Sequence, residues 1–326
     1  METLVKDIIV KFCDTLRDYD KLIFLSVSKK HNKYKQYIFF NEQKSIRKII
    51  HLSYFDRFTN VLMSQPSEKM PMHMTRLYLY GYNKDHIDNI PSSLTHLTFG
   101  LECNQKLLNN IPNTLTHLAL EMKVGKEIII VPETVTCFHI GAACEDTMNV
   151  VVPKSVRELR IMGNQYIRLH DGIVCLKFGG RMNPNIIIPG TVTDLDIGKC
   201  CHRVKNIPEN VKRLEINFIN EPLPNKIIHL IYTGSGFKKI KKYIPNSVTH
   251  LEIVNHFYAY RRDDIPSGVT HLTLPKYYSI RKIPIHVEHI IYKKFDPDIG
   301  HKLITWDNIP LHIKSITFVN FVMTRP

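Results

Sequence analysis

The sequence holds no Cys-x-x-Cys pair, and its seven cysteines are an odd number whose only close neighbours, Cys200 and Cys201, are adjacent and poorly placed to bridge. That pattern speaks against a disulfide framework and for reduced thiols, hence for a cytoplasmic or nuclear setting. No apolar run approaches the roughly 20 residues that a membrane span requires. The opening METLVKDIIVKFCDTL carries charges through its apolar stretch, unlike a signal peptide. Glycine-rich phosphate loops, a His-Glu-x-x-His zinc pair and a Gly-x-Ser-x-Gly elbow are all missing. The chain therefore reads as a non-enzyme without cofactor, metal or membrane association.

Charge is present in excess of one sign. Lys and Arg number 44 against 30 Asp and Glu over 326 residues. The imbalance sits at the ends: residues 1–69 carry 13 basic and 8 acidic side chains, 70–222 carry 16 and 15, and 223–326 carry 15 and 7. A basic end attracts nucleic acid or an acidic partner, or is simply a soluble face. The segment GFKKIKKY at 236–243 interleaves four lysines with aromatics, a pattern that suits single-stranded nucleic acid. It falls between two repeats, where a solvated loop is expected, so nucleic acid is the weaker reading.

What dominates the chain is repetition. IPNTLTHLAL at 111–120 returns as IPNSVTHLEI at 244–253. The shared pattern is Ile-Pro, three residues, an aliphatic, two residues, Leu, one residue and an apolar residue. Thirteen copies begin at Met70, Ile90, Ile111, Val131, Val152, Leu169, Ile188, Ile207, Leu223, Ile244, Ile265, Ile283 and Ile309. Twelve keep the proline, and only Leu169-His170 loses it. Leu115, Leu118 and Leu120 form the Leu-x-x-Leu-x-Leu unit of leucine-rich repeats. Leu118 and Leu120 alternate, so both face one side of a short strand. The proline fixes its own backbone and biases its predecessor toward extended geometry, which marks the corner before each strand. One coil cannot bury its apolar face alone, but stacked coils share a core.

The expected fold is an α+β repeat: a leucine-rich-repeat-like solenoid with a long parallel β-sheet over 70–326, preceded by a small N-terminal helical segment over 1–44. Thirteen strands at about 4.8 Å make a sheet roughly 60 Å long. A period near 20 residues leaves room only for 3₁₀ turns or irregular backbone opposite the sheet. The gap holding KKFDPDIGHKLITWDN before Ile309 is expected to loop out, and no C-terminal cap is legible after Phe318. Residues 45–69 connect the two parts. There SIRKIIHLSYF places Ile49, Leu52 and Tyr54 at the repeat's apolar spacing, as a degenerate first coil. The repeat resembles the FNIP repeat, known mainly from amoebae and their giant viruses. Asn89-Ile90-Pro91, Asn110-Ile111-Pro112, Asn206-Ile207-Pro208 and Asn308-Ile309-Pro310 keep the Asn-Ile-Pro core, without the preceding phenylalanine.

The first 44 residues carry no repeat. Leu4, Ile8, Ile9, Phe12 and Leu16 follow helical spacing, and Leu22, Leu25 and Val27 form a second apolar cluster. With Asp7, Asp20 and Val27-Ser28-Lys29, the segment resembles an F-box, although Val5 replaces its proline and His31 a common aromatic. The resemblance implies docking of these apolar residues on the Skp-type adaptor of a cullin–RING ubiquitin ligase, while the repeats hold an unknown target protein. A helix pair offering an apolar face to a groove is the physical form of such docking. The same helices could instead only cap the first coil.

Within the repeats, the position before the strand leucine is His96, His117, His229, His250, His271 and His289. It faces away from the core, so these side chains form a ladder along one sheet face. Metal binding or pH sensing is the functional reading of a histidine row. No Cys or carboxylate recurs at a partner position, however, and a flat row splays ligands. Arg76, Tyr78, Glu158, Arg160, Asp194, Asp196, Arg213, Glu215 and Glu252 are expected on the same face, whose variety suits a docking protein. Asp194 and Asp196 alternate on a strand but lack a pocket, and so do not make a catalytic pair.

Overall fold

The computed structural model describes residues 2–65, 67, 69–124, 128–144, 149–163, 167–180, 186–198, 207–234, 241–254, 265–275, 283–293, 309–318 and 322–325. Two compact units divide the chain, Met1–Val156 and Arg157–Pro326.

Unit one opens with helices α1 (Glu2–Asp14), α2 (Asp18–Ser26) and α3 (Lys29–Asn32). Asp18 and Asp20 lie in the first turn of α2, where carboxylates complement the positive helix end. The Ser28 side-chain oxygen accepts the His31 backbone N–H and caps α3. The sheet of this unit runs through β1 (Lys44–Ser45), β2 (Asn60–Met63), β3 (Arg76–Leu79), β4 (His96–Phe99), β5 (His117–Leu120) and β7 (Cys137–Ile140), all parallel and in chain order. A separate parallel pair joins β6 (Ile128–Ile130) to β8 (Asn149–Val151).

Unit two continues the same construction. Its strands are β9 (Glu158–Ile161), β10 (Cys175–Phe178), β11 (Asp194–Ile197), β12 (Arg213–Ile216), β13 (His229–Tyr232), β14 (His250–Ile253), β15 (His271–Leu274), β16 (His289–Tyr292) and β17 (Ser315–Thr317), again parallel and in chain order. Both units are leucine-rich-repeat-type coils, with few helices.

Each of the thirteen repeats places its strand six residues after the copy begins. The corner that does this is a hydrogen-bonded turn. The proline carbonyl accepts the N–H of the aliphatic residue three positions on, as in Pro91 to Leu94 at 3.0 Å and Pro208 to Val211 at 3.1 Å. Where proline is lost, the His170 carbonyl accepts from Ile173 at 3.4 Å, so the turn survives without the ring. The aliphatic residue it delivers (Leu94, Leu115, Val192, Val248 and their counterparts) is 0% exposed. The strand then alternates, burying its second and fourth residues. Registers stack like on like: Leu97 beside Leu118 beside Phe138, and Leu195 beside Leu214 beside Leu230. Each unit thus fills its core in columns. Opposite the sheet lie the expected short elements, including 3₁₀ turns at Gln105–Asn110 and Lys241–Tyr243.

Two features differ from the sequence reading. In 45–69, Ile49 ends helix α4 (Ile46–Ile49), and Leu52 and Tyr54 follow it in a turn; the strand of this segment is β2, several residues later. The ring cluster of Phe40, Tyr54 and Phe58, with centroids 5.1–5.8 Å apart, explains the shift, because Tyr54 is spent on this cluster rather than on a strand. At the other end a cap does exist. Strand β18 (Val322–Thr324) pairs antiparallel with β17, and the Arg325 guanidinium donates to the carbonyls of Ile309, Pro310 and Ile313. Residues 294–308, the expected looped-out insertion, and 236–240 of the lysine-rich segment lie outside the described residues.

Candidate interaction surfaces

The N-terminal helices divide their apolar residues between two faces. Ile9 at 8%, Cys13 at 0% and Leu25 at 0% exposure point into the segment's own core. Leu16 and Leu22 are half-buried. Leu4, Ile8, Phe12 and Val27 are exposed, at 65, 59, 48 and 73%. Leu4, Ile8 and Phe12 stand four residues apart and so form one stripe along α1. Ile23 and Tyr19 on α2 add exposed apolar area, and the Phe12 and Phe24 rings meet edge to face at 5.1 Å. Of the eight residues that the F-box resemblance assigns to the adaptor, four are open to solvent and two are buried.

A buried ion pair that sequence reasoning missed holds helix α2 in place. Lys21 and Asp18 are 3% and 2% exposed, with Nζ to Oδ1 at 3.1 Å. The ammonium also donates to the Phe39 carbonyl at 2.8 Å. Asp18 accepts the Glu42 N–H at 2.7 Å, while Glu42 accepts the Asp18 N–H at 3.2 Å. Helix α2 is therefore tied to residues 39–42 by reciprocal charged bonds. In the sequence, Asp18 and Lys21 look like any charged helical pair at three-residue spacing; nothing local shows that they are buried.

The sheet face away from the core carries the second surface. In unit one, the His96 and His117 rings stack at 3.9 Å and 12°. Each holds its Nδ1 edge against the preceding threonine hydroxyl, Thr95 at 2.8 Å and Thr116 at 2.9 Å. Burial, followed by the His117 and Arg76 charges, pushes the His96 imidazole down to about 4. The Tyr78 hydroxyl donates to Glu121 at 3.1 Å on this face, and Arg76 stands exposed.

In unit two the face has two sectors. Over β9–β12 it is a network of opposite charges. Lys177 bridges to Glu158 at 3.3 Å, and Arg213 to Asp194 at 2.9 Å and Glu215 at 3.9 Å. Burial and the neighbouring Asp196 raise the Glu215 carboxyl, and Arg160 is exposed. Over β13–β16 the face is the histidine row His229, His250, His271 and His289, whose neighbours two positions on are Ile231, Glu252, Thr273 and Ile291. Glu252, expected on the open face, is 6% exposed and ion-paired with Lys293, a partner 41 residues away that no local pattern reveals. Among the described residues, no cluster of three or more His, Cys, Asp or Glu has the arrangement of a metal site.

With this geometry in place, comparison with known proteins places the chain. Residues 82–122 match the family model described as FNIP Repeat. Over 240 residues the chain is 30% identical to the Putative FNIP repeat-containing protein L415 of Acanthamoeba polyphaga mimivirus, covering 67% of this chain and 54% of that one. The crystal structure of CroV588, described as a novel circular LRR protein, superposes with a TM-score of 0.52 at 24% identity, covering 86% of this chain and 45% of that one. The chain thus spans about half the length of the relatives it matches.

Proposed function

We propose that this chain, which carries FNIP repeats, is a protein-interaction scaffold acting as substrate receptor of a Skp–cullin–F-box ubiquitin ligase in the cytoplasm or nucleus of a host cell. The α1–α3 segment docks on the Skp-type adaptor, and the outer sheet face holds the target protein. The observation that carries this reading is the stripe of Leu4, Ile8 and Phe12, open to solvent on α1 while Ile9 and Cys13 of the same helix are buried. Exposed apolar residues in line on one helix face are the form that groove-binding helices take. Chemistry belongs to the partner enzymes, and this chain supplies position.

The test is a pull-down from amoebal lysate, comparing wild type with the double change Leu4→Asp and Ile8→Asp. Both sites are exposed, so the variant should keep the thermal melt of the wild type. Adaptor and cullin should come down with wild type and be lost with the variant. Capture by neither protein would overturn the ligase reading and leave a repeat scaffold whose helices only cover the first coil. The bonds of Lys21 and Asp18 to Phe39 and Glu42, just ahead of β1, are the observation that favours that second reading.

A further inference from the structure

The histidine row of unit two has a geometry that couples its members. His229, His250, His271 and His289 sit in register on four adjacent strands. The His250 and His271 rings stack at 4.1 Å and 15°, and His271 and His289 at 4.3 Å and 22°; His229 tilts against His250 at 5.8 Å. Three of the rings are held by the edge. Nδ1 of His250 meets Thr249 Oγ1 at 2.9 Å, that of His271 meets Thr270 Oγ1 at 2.9 Å, and that of His289 meets Ser315 Oγ at 2.7 Å. Held this way, a ring cannot swing out to relieve a charge on its neighbour without giving up its hydroxyl partner.

The surrounding charges decide how this row responds to protons. Arg213 lies beside His229 on the neighbouring strand. The carboxylates facing the row are already matched: Asp194 by Arg213, Glu252 by Lys293 and Glu288 by Lys314 at 2.8 Å, with Glu288 also 3.9 Å from His289. Glu215 shares Arg213, and Asp196 stands beside Glu215 on the next strand. Among the described residues, a new positive charge at the centre of the row therefore meets like charge or occupied carboxylates. His271 is the most constrained ring, with a stacked imidazole on each side.

We propose that the His229–His289 row is a proton-responsive latch on the sheet of unit two: uncharged, its stacked rings hold the outer faces of β14–β16 together, and protonation drives the rings apart and turns this face cationic. The sign follows from His271 and His229, both lowered below the ordinary imidazole range, first by burial and then by their charged neighbours. A group lowered in the folded state takes up protons first in the unfolded chain, so stability falls as pH drops below about 6.5. Between pH 7 and pH 5 histidine is the main titrating group, and Glu215, a carboxyl raised by burial on the neighbouring sector, is separated from it by the histidine variant below.

The test joins two measurements on the full chain. Histidine Cε1–H resonances followed by NMR should show His271 titrating below the free-imidazole value of about 6.5. A midpoint at or above it overturns the proposal without any variant. Hydrogen exchange, corrected for intrinsic rates, should show protection in β14 and β15 falling roughly tenfold or more between pH 7 and pH 5. In the His250→Asn and His271→Asn double variant that pH dependence should flatten. Protection that ignores pH in wild type, or that falls equally in the variant, overturns it. Should the variant fail to fold, the wild-type titration still decides.

Discussion

Replacing Lys21 with methionine removes the ammonium of the buried pair while keeping the side chain's length. Asp18, 2% exposed, is then left as a carboxylate that accepts the Glu42 N–H but faces no cation, and the Phe39 carbonyl loses its Lys21 donor. Breaking one side of a buried pair costs about 3–5 kcal/mol, because the surviving charge is uncompensated. At about 1.4 kcal/mol per factor of ten, the local opening of α2 rises by roughly two to three and a half orders of magnitude. The second half of the cycle is more discriminating. Asp18→Leu with Lys21→Met removes both charges, and an apolar pair of similar volume is about neutral in the interior. The Glu42 N–H and the Phe39 carbonyl each lose a partner near solvent, so a deficit of about 1–2 kcal/mol remains. Hydrogen exchange on residues 18–42 reads these changes directly, since opening of the N-terminal helices need not unfold the coils behind them. The order should be wild type, then double variant, then Lys21→Met. A single variant within about 1 kcal/mol of wild type, or a double variant no better than the single, would refute the claim that this pair anchors α2.

Other consequences follow from the same geometry. Leu118, 2% exposed between Leu97 and Phe138, should lose about 2–5 kcal/mol on change to alanine, read as a lower melting temperature of the full chain. His96, lowered to about 4, should make unit one less stable as pH falls from about 6.5 toward 4. The full shift of about 2.5 pH steps at 1.36 kcal/mol each is an upper bound; discounted for solvent, about 1–2 kcal/mol should appear in denaturant melts and vanish in His96→Asn. A side chain at Gly100 would meet the Leu79 carbonyl oxygen at 2.6 Å and the Tyr78 hydroxyl at 2.7 Å, so Gly100→Ala should lower stability by about 1–3 kcal/mol in the same melts.

The repeat was legible because one short pattern carries every level of the coil at once. Ile-Pro sets the turn, the aliphatic residue three after proline plugs the core, and the Leu-x-apolar pair gives the strand its two-sided period. Each of these depends only on residues within about ten positions. That is why the thirteen strands fall where the spacing puts them, even at Leu169-His170, where the turn bond outlives the proline. The parts that were not legible all depend on distance. Glu252 reads as an exposed strand carboxylate until Lys293 arrives from two coils later. Arg325 reads as a polar tail until its guanidinium reaches the Ile309 and Pro310 carbonyls and closes the last coil. Asp18 and Lys21 read as a solvated helix face until residues 39–42 fold over them.

The histidines stand between these cases, and they show why a repeat can generate function without planning it. Thr-His-Leu in successive copies is visible in the sequence, and so is the outward direction of the His. What the sequence does not carry is the ring separation. Strands about 4.8 Å apart would leave imidazoles at that distance, yet the Thr95 and Thr116 hydroxyls tilt the rings to 3.9 Å, and Thr249 and Thr270 bring theirs to 4.1 Å. At these separations the rings stack face to face, and the protonation of one is felt by the next. A duplicated Thr-His pair needs no further change to become coupled, because the parallel register of the sheet supplies the alignment.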